Sequence, residues 1–330
     1  MERSVRNIVF IGAGSIATAV GNILARNPRL EVTMLSIEAD VIRSVNDFHT
    51  NNRYFPNIPL HPSLRASGDQ AVLGNAELVF LAIPSGQTVK YIREHRDLLG
   101  PEAIIVNLAK GFGENNRTII ECLEEILPNP LAVMKGPTFA RDIINNQPTA
   151  FTVGAADKEI QHLIGDVFND SSIYLDFSED ISGVEILSIL KNIYAIVIGI
   201  ADANFDAPNL RFLLFTRAFK EMRRILLRYG GQEETMFRYC GIGDFSLTAL
   251  NDLSRNRTLG LLIGKGFFTR DISDKVILEG KIAVNVICEE ACKSGAMGQF
   301  PIIRELQRVF KDHYDISDFV NRLLSLEEEK

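Results

Sequence analysis

Apolar positions along the chain fall into two regimes. In the first, short apolar runs end in turn residues and alternate with longer stretches of helical period. Asn7-Ile8-Val9-Phe10-Ile11 is apolar almost throughout and stops at Gly12, the pattern of a parallel strand buried on both faces. Residues 15–26 follow with helical spacing, and further strands are expected at 31–36, 78–83, 104–108, 131–134 and 149–154, with helical patterns between most of them. Strand alternating with helix implies an α/β, Rossmann-like doubly wound sheet. Beyond about residue 182 the alternation ceases, and helical periodicities run over 184–201, 209–228 and 278–293. The expected organisation is therefore a dinucleotide-binding domain over 1–182 and an all-α, substrate-binding domain over 183–330. A length of 330 residues also suits two cores better than one.

Composition removes several function classes. With 46% hydrophobic and 23% charged residues the chain is ordinary globular material, and a net charge of −7 argues against nucleic acid as a main partner. The most apolar segment, 186–201, is interrupted by Lys191 and Asn192 and is short for a membrane span, so a buried core helix is the expectation. Residues 1–7 are too few and too polar to open a signal peptide. Cys122, Cys240, Cys288 and Cys292 lack C-x-x-C spacing and fit a reducing cytoplasm; Cys288 and Cys292, which would share a helix face, read as ordinary buried thiols, with no metal site expected.

Gly12-Ala13-Gly14-Ser15-Ile16-Ala17 lies between a strand and a helix, the context that gives a G-x-G-x-x-A match its meaning. Gly12 permits the tight turn, Gly14 offers no Cβ to a pyrophosphate, and Ala17 allows close helix-to-strand packing. Ile37 and Glu38 follow the second strand, where a carboxylate can accept from an adenosine ribose hydroxyl and repel a 2′-phosphate. That favours NAD, and NADP would need an arginine such as Arg43. Glu38 can equally be an exposed helix-start glutamate.

Lys110 stands just past a strand end, where open α/β sheets keep their ligand crevice, and Gly136-Pro137-Thr138-Phe139-Ala140 follows the next strand. A lysine inside the apolar helix, Lys191, demands a carboxylate or a ligand. Asp244 and Thr248 share a face if their segment is helical. Ser254-Arg255-Asn256 reads as a capped helix start with an arginine beside it, suited to a phosphate. Lys191 and Asp244 can also be read as a structural ion pair between helices.

The ordered set Gly12-Ala13-Gly14-Ser15, Ala109-Lys110-Gly111, Gly136-Pro137-Thr138-Phe139-Ala140, Lys191-Asn192, Gly243-Asp244, Ser254-Arg255-Asn256-Arg257 and Leu278-Glu279-Gly280 resembles the NAD(P)-dependent glycerol-3-phosphate dehydrogenase family over nearly the whole chain. The resemblance implies hydride exchange between dihydroxyacetone phosphate and sn-glycerol 3-phosphate for glycerophospholipid synthesis, with Lys191 as general acid or base at the C2 oxygen. Lys110 and Asp244 would stand beside it. Substrate contacts would fall at Lys110, Gly136, Thr138, Lys191, Asp244, Thr248, Ser254, Arg255 and Asn256. Cofactor contacts would fall at Ser15, Ile16, Lys110, Ala140, Arg255, Ile277 and Glu279, with NAD preferred over NADP and a homodimer as the assembly.

Two departures stand out. The family has a glycine-rich stretch before Asn209 where this chain has Asn204-Phe205-Asp206-Ala207-Pro208, and Ala218 occupies a position usually glycine. A related reductase or 3-hydroxy acid dehydrogenase would share the first loop and the helical half without requiring Ser254-Arg255-Asn256. A non-catalytic nucleotide sensor would find support in residues 205–208 alone.

Overall fold

The structure, a computed structural model, describes residues 6–205, 207–267, 279–311 and 316–325. It divides into two compact units, Met1–Val184 and Glu185–Lys330. In the first, the chain runs β1 (Arg6–Ile11), α1 (Ser15–Leu24), β2 (Leu30–Leu35), α2 (Ala39–Phe48), β3 (Thr50–Asn51), β4 (Phe55–Pro59) and β5 (Arg65–Ser67). It continues through β6 (Leu78–Leu81), α3 (Ser85–His95), β7 (Ile104–Asn107), α4 (Ile119–Glu124), β8 (Leu131–Lys135), α5 (Ala140–Ile144), β9 (Thr149–Gly154), α6 (Lys158–Phe168) and β10 (Ile173–Ser178).

Eight strands form one sheet in the order β10-β9-β8-β7-β6-β1-β2-β5, and β3 and β4 pair separately. Every pairing in the large sheet is parallel except β8 with β9, which is antiparallel. Period-two alternation builds a core on each face: Ile8 and Phe10 join one cluster with Val32, Met34 and Phe80, while Val9 and Ile11 join the other with Val79 and Ile105. The sheet grows outward from β1 to β2 on one side and from β1 to β6 on the other. That reversal opens a crevice at the carboxyl ends of β1 and its neighbours.

Four strands were not visible as hydrophobic patterns. β5 has three residues at a sheet edge; β3 and β4 form a short polar hairpin. β10, also an edge strand, keeps four of its six residues at least partly exposed.

The second unit holds α7 (Ile181–Asn204, begun in the first unit), α8 (Pro208–Arg228), α9 (Asp244–Leu250), α10 (Arg255–Gly264), α11 (Glu279–Lys293), α12 (Pro301–Lys311) and α13 (Ile316–Ser325), with no strand among the described residues. α7 corrects the expectation of a segment too short for a membrane span: its length and apolarity suffice, yet its most apolar window is wholly buried in the protein. Its backbone meets α10 closely. A Cβ on Gly199 would lie 3.0 Å from Gly260 Cα, nearer than ordinary packing allows. Cys288 is buried and Cys292 exposed, so the reading of this pair as buried thiols fails at Cys292. Among the described residues no cluster of His, Cys, Asp and Glu could hold a metal ion.

Candidate functional site

The first unit's crevice begins at the glycine loop. Gly12 has φ of 110°, a left-handed value that disfavours a side chain, and a Cβ there would stand 2.9 Å from the Ala82 carbonyl oxygen just past β6. A Cβ on Gly14, by contrast, would meet nothing within 4 Å, so this glycine faces open space. Gly14 is also the N-cap of α1, whose first amides, on Ser15, Ile16 and Ala17, have no intrahelical acceptor. Positive partial charge and unpaired N–H groups at an open wall fit a pyrophosphate. Ala17 is fully buried, as close packing of α1 on the sheet requires.

Two buried side chains buckle this loop, and the sequence pattern singled out neither. Asn51 Nδ2 donates to the Ala13 carbonyl at 3.0 Å and to Thr18 Oγ1 at 2.8 Å, while Thr18 Oγ1 donates to the same Ala13 carbonyl at 3.3 Å. Only the fold brings Asn51 beside Ala13.

Ile37, Glu38 and Tyr54 line the same crevice with Gly14, Gln87 and Tyr91. Ile37 is 99% exposed, an apolar surface available to a flat ring. Glu38 is the N-cap position of α2, and its Oε1 lies 2.8 Å from Arg53 Nη1. Arg43, the cation named from sequence, is instead engaged with Asp47 at 3.9 Å and stands over the Phe48 ring. The arginine beside Glu38 is therefore Arg53.

Past β7, Lys110 Nζ donates to the Gly136 carbonyl at 3.4 Å. Gly136 is dictated by packing, because a Cβ there would stand 2.8 Å from Phe151 Cα on β9. Thr138 Oγ1 donates to the Gly136 carbonyl at 3.3 Å, and Ala140 opens α5. Lys135, at the end of β8, is fully buried and donates to the carbonyls of Asn107 (3.0 Å) and Ala109, the turn that carries Lys110. A lysine closing the apolar run Leu131-Ala132-Val133-Met134 was a signal the sequence offered.

In the second unit, Lys191 is 4% exposed and Asp244 1%. Lys191 Nζ lies 2.5 Å from Asp244 Oδ1 and 2.9 Å from Thr248 Oγ1, and Thr248 Oγ1 stands 3.4 Å from the same carboxylate oxygen one turn along α9. The three therefore form one buried cluster.

Ser254 caps α10, its Oγ accepting from the Arg257 amide at 3.3 Å. Asn256 Oδ1 accepts from the Gly280 amide at 3.3 Å. The two arginines of the motif divide sharply. Arg257 is buried, with Nη1 on Asp202 at 2.6 Å and on the Ala249 carbonyl at 3.0 Å, and Nε on Asp252 at 2.9 Å. Arg255 is exposed and makes no ion pair among the described residues. Ile277 lies outside the described residues, as does the side chain of Glu279, whose backbone begins α11. Pro208, in the segment that departs from the glycine-rich pattern, occupies the first turn of α8, where its fixed φ suits a helix start.

Comparison with known proteins covers both units. The profile described as NAD-dependent glycerol-3-phosphate dehydrogenase N-terminus matches residues 7–161, and the corresponding C-terminus profile matches residues 180–321. The glycerol-3-phosphate dehydrogenase (NAD(P)+) of Clostridium acetobutylicum is 31% identical over 323 residues, covering 96% of each chain. That of Halothermothrix orenii is 32% identical over 321 residues, covering 96% of this chain and 94% of its own. The crystal structure of glycerol-3-phosphate dehydrogenase from Coxiella burnetii superposes with a TM-score of 0.88 at 28% identity, over 97% of this chain and 99% of that one.

Proposed function

The chain belongs to the NAD-dependent glycerol-3-phosphate dehydrogenase family, and from that premise we propose that it interconverts dihydroxyacetone phosphate and sn-glycerol 3-phosphate in the cytoplasm, for glycerophospholipid synthesis. The observation that carries the reading is the buried ammonium of Lys191, held 2.5 Å from Asp244 and 2.9 Å from Thr248. Burying a lysine costs several kcal/mol, on the order of what a paired carboxylate recovers, and catalysis supplies a reason to keep the arrangement.

The open glycine loop, the α1 N-terminus and the Ile37–Glu38 wall fit a nicotinamide dinucleotide. A reduced nicotinamide held by these residues would supply the hydride that C2 of the ketone takes up. Lys191 then does the acid's part: Nζ gives one proton to the C2 oxygen as negative charge develops on it, and the ammonium stabilises that charge before the transfer. Asp244 and Thr248 fix Nζ in place and remain hydrogen-bonded to the amine until water returns the proton. In the oxidative direction the neutral amine takes the C2 hydroxyl proton.

The phosphate is assigned to the start of α10. The first amides there lack intrahelical acceptors, and Arg255 adds a guanidinium fork. The family's motifs assign Lys110, Gly136 and Thr138 to substrate contacts, and Lys110 and Ala140 to cofactor contacts.

The test is NADH oxidation with dihydroxyacetone phosphate run beside unphosphorylated dihydroxyacetone. Turnover of the phosphate ester with little of the free ketone is expected. Equal turnover of both would remove the phosphate assignment, and NADH binding without turnover of either would point to a sensor.

A further inference from the structure

The ribose end of the crevice carries a cation that β1, α1 and β2 do not contain. Arg53 stands in the turn between β3 and β4, next to Tyr54, which lines the crevice with Glu38. Its Nη1 lies 2.8 Å from Glu38 Oε1 and 3.8 Å from Asp40 Oδ2. Arg53 is about half exposed, at 52%, and makes no other ion pair or hydrogen bond among the described residues. A guanidinium presents five N–H donors in a planar fork, so a pairing through Nη1 leaves most of its capacity unspent.

We propose that Arg53 is a specificity-determining residue that lets this crevice accept NADP as well as NAD. Glu38 alone would repel a 2′-phosphate. With Nη1 on Glu38 that charge is offset, and the remaining N–H groups of the same guanidinium are left for the phosphate oxygens. A charge-assisted contact to phosphate is stronger than an ion pair open to solvent, so the guanidinium loses little by sharing its donors with the phosphate. With NAD bound, the pair stays intact and Glu38 accepts from the ribose hydroxyls. Arg43 makes no ion pair with Glu38 among the described residues; its Nε lies 3.9 Å from Asp47 and its guanidinium stands over the Phe48 ring.

The inference rests on reading the crevice as the dinucleotide site, and calorimetric binding separates the two. Full-length protein, R53Q and R53K would each be titrated with NADH and NADPH at low and high salt. R53Q is expected to weaken NADPH about tenfold, the scale of one charge-assisted hydrogen bond, to leave NADH within about twofold, and to flatten the salt dependence of NADPH binding. R53K, which keeps the charge without the fork, should fall between. Because Arg53 sits in an exposed turn, the melting temperature should not move. An unchanged ratio of NADPH to NADH affinity in R53Q overturns the role of Arg53 and leaves the dinucleotide site standing. Failure of the unsubstituted protein to bind either dinucleotide overturns both.

Discussion

Lys110 and Lys135 reach in opposite directions across one gap. Lys110 Nζ donates to the carbonyl of Gly136, the residue after Lys135, and Lys135 Nζ donates to the carbonyls of Asn107 and Ala109, the turn before Lys110. Each lysine latches the loop that carries the other. Replacing Lys135 by methionine keeps most of the volume and removes the donor from two carbonyls, at a cost of about 1–3 kcal/mol for each one left unsatisfied. We expect K135M to lower the melting temperature and to raise KM for dihydroxyacetone phosphate more than it lowers kcat, since Lys110 loses its fixed turn. Steady-state kinetics and thermal unfolding check this, and unchanged KM would show that Lys110 does not depend on the latch.

Arg255 and Arg257 stand two residues apart and should behave oppositely. R255A removes an exposed guanidinium without an ion pair among the described residues, so stability should hold while kcat/KM for dihydroxyacetone phosphate falls about 10- to 100-fold. R257A takes one of two arginine partners from buried Asp202, and should cost on the order of 3 kcal/mol of stability. Denaturant unfolding of both variants beside their kinetics decides the matter. A collapse of R255A stability would make that residue structural.

K191A should lower kcat about a hundredfold or more, the usual contribution of a positioned general acid, while the Kd for NADH changes little. Nicotinamide fluorescence gives the second quantity. The variant leaves Asp244 buried without its ammonium, so K191M is the companion that preserves more packing. A rate in both variants close to that of the unsubstituted protein would remove Lys191 from the chemistry.

Much of this was legible in the chain because single residues forced it. Lys191 in an apolar helix required a partner, and Asp244 with Thr248 at helical spacing supplied one. Ser254 ahead of the run 259–263 marked a helix start, and α10 begins one residue later. What stayed hidden depends on contacts distant in sequence. Asn51 holds the Ala13 carbonyl only because the β3 hairpin folds over the glycine loop, and Arg53 meets Glu38 for the same reason. The reversed direction of β9 is equally silent in its apolar pattern, since a buried strand reads the same either way.

Glu221 makes stability depend on pH in a direction opposite to an ordinary salt-bridged carboxylate. It is fully buried, accepts from the amides of Ile302 (3.0 Å) and Ile303 (2.9 Å) in the first turn of α12, and accepts from the Tyr194 hydroxyl at 3.0 Å. Burial pushes its carboxyl up to about 7, outweighing those three donors and Arg224, which pull it down. The folded state thus holds this proton more tightly than the unfolded chain, where the group titrates near 4.5. The resulting stabilisation is fully present below about pH 4.5, is lost progressively as pH rises toward 7, and amounts to on the order of 3 kcal/mol across that window. E221Q has no proton to lose. Its melting temperature, relative to that of the unsubstituted protein at each pH, should therefore climb between pH 5 and 7.5 and level off above, with histidine titrations common to both proteins cancelling. A flat difference across that range would mean that Glu221 is already ionised at pH 5, and that the α12 amides and Tyr194 outweigh its burial.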